Sequence, residues 1–252
     1  MKMNEMNEKS PKIISVIGIG PGGMRGMTLE AADALEDSDT IVGYTAYTDL
    51  VRPMFPGKHY LSTPMTKEAD RCRAAFEETE KGHKTAVICS GDAGVYGMAS
   101  LMIMIGRDYP DTEIRIIPGV TAALSGAALL GAPLTGDFCL ISLSAYLTPE
   151  EVIEKRLKAA ADGDLVIVLY NPMSRKRPDS LKKACDILLQ YRSADTVCGM
   201  TERIGRDGQS SEILNLGELR NRDVDMFTTV FIGNSATVLE RGLMVTKRGY
   251  RL

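Results

Sequence analysis

Two glycine-rich segments are the first places in this sequence where a ligand could bind. Residues 18–23 read Gly-Ile-Gly-Pro-Gly-Gly after an apolar run and formally match the GxGxxG pattern of dinucleotide-binding loops. That pattern also requires an acidic residue at the end of the second strand to bind the ribose. Here Asp39 precedes the second apolar run, whereas Tyr44 and Thr45 follow it. The fingerprint is therefore incomplete, which disfavours a nicotinamide-dependent oxidoreductase.

The second segment, residues 89–99, reads CSGDAGVYGMA and also follows a short apolar run. Its small residues permit close approach of a ligand to the backbone, and Asp92 adds a carboxylate. Open α/β sheets bind ligands at the carboxyl ends of their strands, where this segment is predicted to lie. The alternative is a tight turn in which Asp92 caps the following helix.

Three shorter segments resemble these two in residue type. They are Gly119–Ala123 (GVTAA), Tyr170-Asn171-Pro172 and Met200-Thr201, and each is predicted to end a strand with small or polar residues. We expect such strand ends to share one crevice.

The elements that would position these residues alternate along the chain, which predicts an α/β fold. The predicted strands are residues 13–19, 40–43, 85–89, 114–117, 138–143, 165–170, 196–200 and 228–232. Residues 165–169 are apolar at every position, which favours a strand covered on both faces in the middle of a mostly parallel sheet.

Helices are predicted over residues 66–81, after Pro178, and from Thr148 to Gly163. For the last of these, Thr148 is the expected N-cap, Pro149 the first helical residue, and Gly163 the end. Residues 1–12 are predicted to be a disordered leader, residues 13–119 an N-terminal α/β domain, and residues 120–252 a C-terminal α/β domain.

Bulk composition narrows the class of protein. The chain has 252 residues, is 44% hydrophobic and carries a formal net charge of −3, which argues against binding of nucleic acid through its phosphates. Five cysteines without CxxC spacing and two histidines predict no metal site. No run of about 18 apolar residues is present, so we expect a cytoplasmic protein.

The four segments VIGIGPGG, SGDAGVYGMA, PGVTAA and LYNP, in this order, resemble the tetrapyrrole (corrin/porphyrin) methylase family, the class III methyltransferases. The order and approximate separations hold over essentially the whole chain after residue 12. Residues 41–51, 90–99 and 170–177 look most like the branch that methylates C17 of precorrin-3B or of its cobalt-containing counterpart. One departure is Ala93, which stands where the family commonly has proline; this loosens the turn but keeps the Asp92 carboxylate.

The resemblance implies two α/β domains with a ligand cleft, a homodimer, and S-adenosylmethionine as methyl donor, with S-adenosylhomocysteine as product. The first glycine loop would then border the tetrapyrrole rather than hold a nucleotide. The implied cofactor-binding residues are Pro21, Ser90, Gly91, Asp92, Val95, Thr121, Ala122, Asn171, Met200 and Thr229. The implied or expected substrate-binding residues are Gly20, Gly22, Arg25, Arg175 and Arg177, with Arg203 as a further cation.

The chemistry implied by the resemblance needs close alignment of donor and acceptor more than a strong base. Ring contraction, which accompanies methylation in the C17 branch, would also require removal of a proton from oxygen. Asp92, Tyr96 and Thr121 are the candidate catalytic residues, and the sequence does not choose among them. Arginines suit the substrate's carboxylates, although residues 174–177 are equally explained as a solvated basic turn.

Three other interpretations remain open from the sequence. A methylase of the same family could act on another corrin carbon, uroporphyrinogen III, diphthine or ribosomal RNA. An NAD-binding oxidoreductase and a non-catalytic ligand-sensing module are the alternatives from other classes.

Overall fold

The computed structural model describes residues 11–250, and its contacts divide the chain into two units between Thr121 and Ala122. The boundary predicted from sequence lies between residues 119 and 120. The predicted leader falls mostly on residues 1–10, which lie outside the described residues, while Lys12 already belongs to the first strand.

The first unit is a five-stranded, wholly parallel sheet with helices on both faces. Its strands are β1 (Lys12–Gly18), β2 (Thr40–Tyr44), β3 (His59–Thr63), β4 (Thr85–Cys89) and β5 (Thr112–Ile117), in the order β3-β2-β4-β1-β5. Its helices are α1 (Leu29–Glu36), α2 (Thr45–Val51), α3 (Glu68–Glu80) and α4 (Ala99–Ile105), with 3₁₀ turns at Met24–Gly26 and Gly106–Asp108.

Side chains of the central strands alternate between two cores, as the two-residue period of a strand requires. In β1, Val16 packs with α3 and α4, whereas Ile17 packs with α1 and α2. Every residue of β4 is buried, because helices cover both faces of this sheet.

The second unit contains a mixed five-stranded sheet and a small three-stranded sheet. The larger sheet has the order β10-β9-β11-β8-β7, and the smaller has the order β12-β13-β6. The strands are β6 (Gly131–Ala132), β7 (Phe138–Ser142), β8 (Val166–Tyr170), β9 (Val197–Glu202), β10 (Ser210–Asn215), β11 (Thr228–Ile232), β12 (Thr237–Glu240) and β13 (Leu243–Thr246). The helices are α5 (Ala122–Leu130), α6 (Glu150–Asp162), α7 (Ser180–Leu188) and α8 (Leu216–Leu219).

Strand β8 corrects one prediction. Its first four residues are fully buried, as the apolar run indicated, but β8 lies second from the edge and is parallel to β7 alone. Its other neighbour, β11, is antiparallel, as are the remaining pairs of this sheet. An unbroken apolar run indicates that both faces of a strand are covered. In β8, α5 covers one face and α6 and α7 cover the other. The run does not indicate whether the neighbouring strands are parallel or antiparallel.

The predicted threonine cap of α6 is also wrong. The helix begins at Glu150, and Pro149 occupies the N-cap position with an extended backbone (ψ 144°) and no side-chain cap. The Pro149 carbonyl accepts hydrogen bonds from the N–H groups of Val152 and Ile153. Because proline itself takes the N-cap position, Thr148 lies outside the helix; the predicted end at Gly163 is confirmed.

The predicted strand ending at Met200-Thr201 continues to Glu202, because β9 pairs with β10 and β11 through that residue. Within residues 11–250, none of the helices is both long enough and apolar enough to cross a bilayer.

Candidate active site

Three loops meet at the carboxyl edge of the first unit's sheet. Strand β1 lies between β4 and β5 and all three are parallel, so their carboxyl ends are neighbours. The segments that follow these strands are 19–23, 90–98 and 118–121, which contain half of the residues that the sequence assigned to ligand binding. Carboxyl ends of parallel strands are where open α/β sheets bind ligands.

Glycines join these loops through direct contact of their main chains. Gly20 N–H donates to the Gly91 carbonyl at 3.0 Å, and Gly91 N–H donates to the Gly20 carbonyl at 2.8 Å. A Cβ atom at Gly119 would lie 2.1 Å from the Gly91 oxygen, and one at Gly18 would lie 2.7 Å from the Gly119 nitrogen. Gly18 and Gly20 of the first loop are therefore explained by close packing between main chains, without a bound dinucleotide.

Asp92 connects two of these loops with its carboxylate. Oδ1 accepts hydrogen bonds from the N–H groups of Gly94 (2.8 Å) and Val95 (3.1 Å), and Oδ2 accepts one from Gly119 N–H (2.9 Å). The alternative role as a helix cap is wrong, because α4 begins only at Ala99 and has Met98 at its N-cap position. Both oxygens of this candidate base are thus engaged by the backbone.

Tyr96 lies in the same loop with a left-handed backbone, φ 54°. This conformation is unusual for a bulky side chain and costs on the order of 1–3 kcal/mol. The Val95 N–H bond to Asp92 precedes it, and after it Met98 N–H donates to Cys89 Sγ at 3.3 Å. Ala99 N–H also donates to the Ala93 carbonyl at 3.0 Å. Bonds on both sides of Tyr96 hold its backbone, while the residue remains 52% exposed.

The remaining predicted residues of the first unit differ in exposure. Gly22 is buried, Pro21 and Ser90 are half-buried, and Arg25 is exposed in the Met24–Gly26 turn. Thr121, the third candidate base, is only 9% exposed. Ala93 is fully buried, and its carbonyl accepts the hydrogen bond from Ala99 N–H.

The second unit brings its predicted residues to one edge of the larger sheet. Strands β7, β8 and β9 run in one direction and β11 in the other. The carboxyl ends of β8 and β9 therefore lie beside the amino end of β11, which places Asn171, Met200 and Thr229 at the same edge. Thr229 pairs with Thr201, and Val230 pairs with Met200.

Asn171 is held by its neighbours in a left-handed conformation, φ 52°, which asparagine tolerates better than most residues. Its side-chain amide donates to Ser142 Oγ at 3.0 Å, so the end of β8 is tied to the end of β7. Ser142 was not predicted from the sequence, because an isolated serine at a strand end carries no distinctive signal.

Tyr170, which precedes Asn171 at the end of β8, has a role that the sequence did not predict. Its hydroxyl oxygen accepts a hydrogen bond from Ala123 N–H at 2.7 Å. This bond attaches the first turn of α5, which begins at Ala122, to the strand end that carries Asn171. The predicted residues Ala122 and Asn171 are therefore linked through Tyr170.

The side chains of Met200 and Thr229 are buried, at 6% and 5% exposure. Met200 packs in the core beneath α6 and α7. The neighbouring Thr201 is fully buried, and its hydroxyl donates to the Thr229 carbonyl at 3.5 Å. These positions offer a ligand mainly their backbone groups.

The predicted basic turn is a tight one. Arg177 N–H donates to the Ser174 carbonyl at 2.9 Å, and the returning bond from Ser174 N–H to the Arg177 carbonyl is 3.4 Å. The Arg177 guanidinium donates to the Leu143 carbonyl, which ties this turn to the loop after β7. Arg175 is exposed at the tip of the turn, and Arg203, at the end of β9, is exposed as well.

The thiols near these edges are poor nucleophiles. Burial raises the pKa of Cys89 to about 11 and that of Cys72 to about 12. A thiolate is the reactive form of cysteine, so neither residue supports covalent catalysis at neutral pH.

Comparison with known proteins gives a consistent result. Residues 14–220 match the family described as Tetrapyrrole (Corrin/Porphyrin) Methylases. A probable cobalt-factor III C(17)-methyltransferase of Salmonella typhimurium is 46% identical over 95% of this chain and 100% of that protein. A precorrin-3B C(17)-methyltransferase of Sinorhizobium is 36% identical over 93% of this chain and 96% of that protein. The crystal structure of the methyltransferase CobJ superposes with a TM-score of 0.86 at 36% identity, covering 93% and 99% of the two chains.

Proposed function

Since the chain belongs to the tetrapyrrole (corrin/porphyrin) methylase family, we propose that it is the C17-methyltransferase that acts on cobalt-factor III and contracts its ring in cobalamin (vitamin B12) biosynthesis. The observation that carries the proposal is the 46% identity to a probable cobalt-factor III C(17)-methyltransferase over the full length of that relative. The all-parallel sheet with its glycine-packed carboxyl edge supports the same activity, because such edges bind ligands.

The experiment that tests this is an anaerobic incubation of the protein with S-adenosylmethionine and cobalt-factor III. We expect the tetrapyrrole product to gain one methyl group, located at C17 by NMR, and S-adenosylhomocysteine to accumulate in equal amount. Methylation at another carbon, or methylation of uroporphyrinogen III alone, would assign the chain to a different branch. Micromolar binding of NADH without binding of S-adenosylhomocysteine would overturn the proposal.

Precorrin-3B, the metal-free acceptor, is the second candidate, because a precorrin-3B C(17)-methyltransferase is 36% identical to the chain. A parallel incubation with precorrin-3B compares kcat/KM for the two acceptors. A higher value for precorrin-3B would favour the second candidate.

The proposed donor-binding residues offer groups that fit S-adenosylmethionine. They are Pro21, Ser90, Gly91, Asp92, Val95 and Thr121 of the first unit, and Ala122, Asn171, Met200 and Thr229 of the second. Small residues leave backbone groups accessible, and the Asn171 amide and Thr121 hydroxyl can satisfy polar atoms of an adenosine and an amino acid. When bound, this donor supplies an electrophilic methyl group on a sulfonium.

The chain's own contribution is mainly rigid positioning. The paired Gly20 and Gly91 backbones and the Asp92 bonds to Gly94, Val95 and Gly119 fix three loops relative to one another. In the second unit, Tyr170 and Ser142 hold the segments around Ala122 and Asn171. Fixed geometry of this kind lowers the barrier of a bimolecular transfer without a strong base.

We propose that Arg175 binds a carboxylate of the tetrapyrrole, together with Gly20, Gly22, Arg25 and Arg177 as further substrate-binding residues. Arg175→Ala should raise the KM for the tetrapyrrole about tenfold, the effect of losing one charge-assisted hydrogen bond, and leave the affinity for S-adenosylhomocysteine unchanged. Arg156→Ala, which removes an exposed arginine from α6, is the matched control. An unaltered tetrapyrrole KM in Arg175→Ala would exclude this role.

We further propose that the enzyme is a cytoplasmic homodimer, as the family resemblance implies. Light scattering coupled to size-exclusion chromatography should give twice the 27.4 kDa mass of one chain. A monomer at micromolar concentration would contradict this.

A further inference from the structure

We infer that the aromatic ring of Tyr96 contacts the face of the tetrapyrrole macrocycle, so that Tyr96 is a substrate-binding residue. The inference rests on the proposed function, because it names a residue through which the acceptor is recognised. The role belongs to the ring, and no proton transfer is assigned to the hydroxyl.

The backbone of Tyr96 is the first observation. Six described non-glycine residues have a left-handed φ, and Tyr96 is the only aromatic among them. Glycine or asparagine adopts this conformation with less strain. An aromatic residue at such a position, held by hydrogen bonds on both sides, points to a requirement for its side chain.

The location of Tyr96 is the second observation. The residue lies in the loop that follows β4 at the carboxyl edge, one residue after Val95 and four after Asp92. The backbone bends at Gly97, and a Cβ at that position would lie 2.4 Å from the Ala93 oxygen. The bend keeps Tyr96 at the binding edge rather than in helix α4.

Exposure separates Tyr96 from the other two candidate residues. Both oxygens of Asp92 accept main-chain hydrogen bonds. Thr121 is 9% exposed, whereas Tyr96 is 52% exposed. Of the three, Tyr96 therefore presents the largest accessible surface to an acceptor.

The chemistry of the acceptor fits an aromatic ring. A tetrapyrrole is broad, flat and conjugated, and its carboxylates lie at the periphery. Aromatic side chains bind such faces by offset stacking, which adds to the gain from burying apolar area. Tyrosine also tolerates the exposure that the site has when no acceptor is bound.

The test measures binding of cobalt-factor III directly by absorbance titration, beside steady-state kinetics, for Tyr96→Phe, Tyr96→Asn and Tyr96→Gly. Tyr96→Phe keeps the ring and should change the Kd by less than threefold. Tyr96→Asn and Tyr96→Gly remove the ring and should raise the Kd and the KM for the tetrapyrrole at least tenfold. The affinity for S-adenosylhomocysteine should stay within twofold in all three variants.

The matched control is Thr66→Gly, which relieves the backbone strain of another left-handed residue (φ 68°) in the first unit. This variant should leave tetrapyrrole binding and turnover unchanged. Thermal unfolding checks folding: Tyr96→Asn and Tyr96→Gly should keep the wild-type midpoint, because relief of backbone strain offsets lost packing.

Two results would overturn the inference. One is wild-type tetrapyrrole affinity in a folded Tyr96→Gly variant; the other is an equal loss in Tyr96→Phe and Tyr96→Gly, which would assign the role to the hydroxyl. Failure of wild-type protein to methylate cobalt-factor III would refute the proposed function separately, since tetrapyrrole binding is measured independently of turnover. Failure of wild-type protein to bind the tetrapyrrole would refute both.

Discussion

At the scale of single residues, the carboxylate of Asp92 holds the backbone around it through hydrogen bonds. Three N–H groups from two loops converge on its two oxygens, at 2.8, 3.1 and 2.9 Å. Hydrogen bonds to an ionised acceptor are stronger than those between neutral groups. Asp92 is thus a positioning residue for the loops after β4 and β5.

Asp92→Asn should weaken this arrangement, because one carboxylate oxygen becomes an amide that donates and cannot accept. We expect the Kd for S-adenosylhomocysteine to rise about tenfold, roughly the cost of one charged hydrogen bond. The pH profile of kcat/KM should keep its shape. If the affinity for S-adenosylhomocysteine is unchanged and the fall of kcat/KM at acidic pH disappears, Asp92 would instead be identified as a base. Asp108→Asn, at an exposed position of the first unit, is the control.

Glu78 is a second residue whose environment leads to a prediction. Its nearly buried carboxylate accepts a hydrogen bond from Lys81 Nζ at 2.6 Å and lies 2.7 Å from His83 Nδ1. The bond from Lys81, followed by that from His83, lowers the pKa of Glu78 below its ordinary value of 4.5. The stabilisation is therefore present above pH 4.5 and is lost as the pH falls through the lowered pKa.

Glu78→Gln should unfold at a lower temperature than wild type at pH 7, by about 2–4 °C, which corresponds to roughly 1 kcal/mol in a chain of this size. The difference should shrink as the pH drops below 4.5. Scanning calorimetry at several pH values measures it, with Glu77→Gln, an exposed neighbour on α3, for comparison. A difference that is independent of pH would refute the electrostatic explanation.

At the scale of elements, helix α5 shows how closely the second unit is packed. A Cβ on Gly126 would lie 2.6 Å from Thr201 Oγ1 and 2.9 Å from Phe231 Cζ. Both neighbours are fully buried, so neither can move aside easily. The same helix carries Ala122, and its Ala123 N–H donates a hydrogen bond to the Tyr170 hydroxyl. The position of α5 in the second unit therefore matters for the proposed site.

Gly126→Ala should therefore destabilise the protein although alanine favours helices. Overpacking costs about 1–3 kcal/mol, whereas the gain in helix propensity is about 1 kcal/mol. Denaturant titration should show a lower midpoint with an unchanged slope. Gly136→Ala, where the nearest atom would be 3.5 Å away, should leave the midpoint unchanged. Equal midpoints for the two variants would show that α5 can shift without cost.

The elements also show what the sequence could and could not predict. The strands at 85–89 and 228–232 match β4 and β11 because their residues are mostly apolar or β-branched and are all buried. Strands β3 and β10 were missed because they lie at sheet edges and contain polar residues such as His59, Ser210 and Glu212. Strand direction in the second unit was wrong because it depends on pairing partners, which an apolar run does not encode.

For the site, the sequence motifs correctly placed residues 18–23, 90–96 and 119–121 at the carboxyl ends of neighbouring strands. The roles of individual side chains could not be read in the same way. That Asp92 binds Gly119 and that Tyr170 binds Ala123 depends on contacts between residues 27 and 47 positions apart.

At the scale of the whole molecule, four of the five cysteines are buried and Cys139 is partly buried. Desolvation raises the pKa of each, to about 12 for Cys185 and above the ordinary thiol value for Cys139 and Cys198. The native protein should therefore resist alkylation by iodoacetamide at pH 8, whereas denatured protein should take up five equivalents. Mass spectrometry of the intact chain distinguishes the two states, and Cys139, the least buried, should react first. Rapid labelling of Cys72 or Cys89 in native protein would contradict this.

The contact between Gly18, Gly91 and Gly119 also bears on how this scaffold can be diversified. Main-chain atoms fill the space that a Cβ would need at Gly18 and Gly119, so even alanine is excluded there. Gly91 has a left-handed backbone, φ 68°, which disfavours any other residue. A mutational library aimed at new acceptors should leave these three codons fixed. Diversity is better placed at exposed positions near the strand ends, such as Tyr96, Tyr146, Leu147 and Arg175. Acceptor preference can then be varied while the main-chain frame is kept.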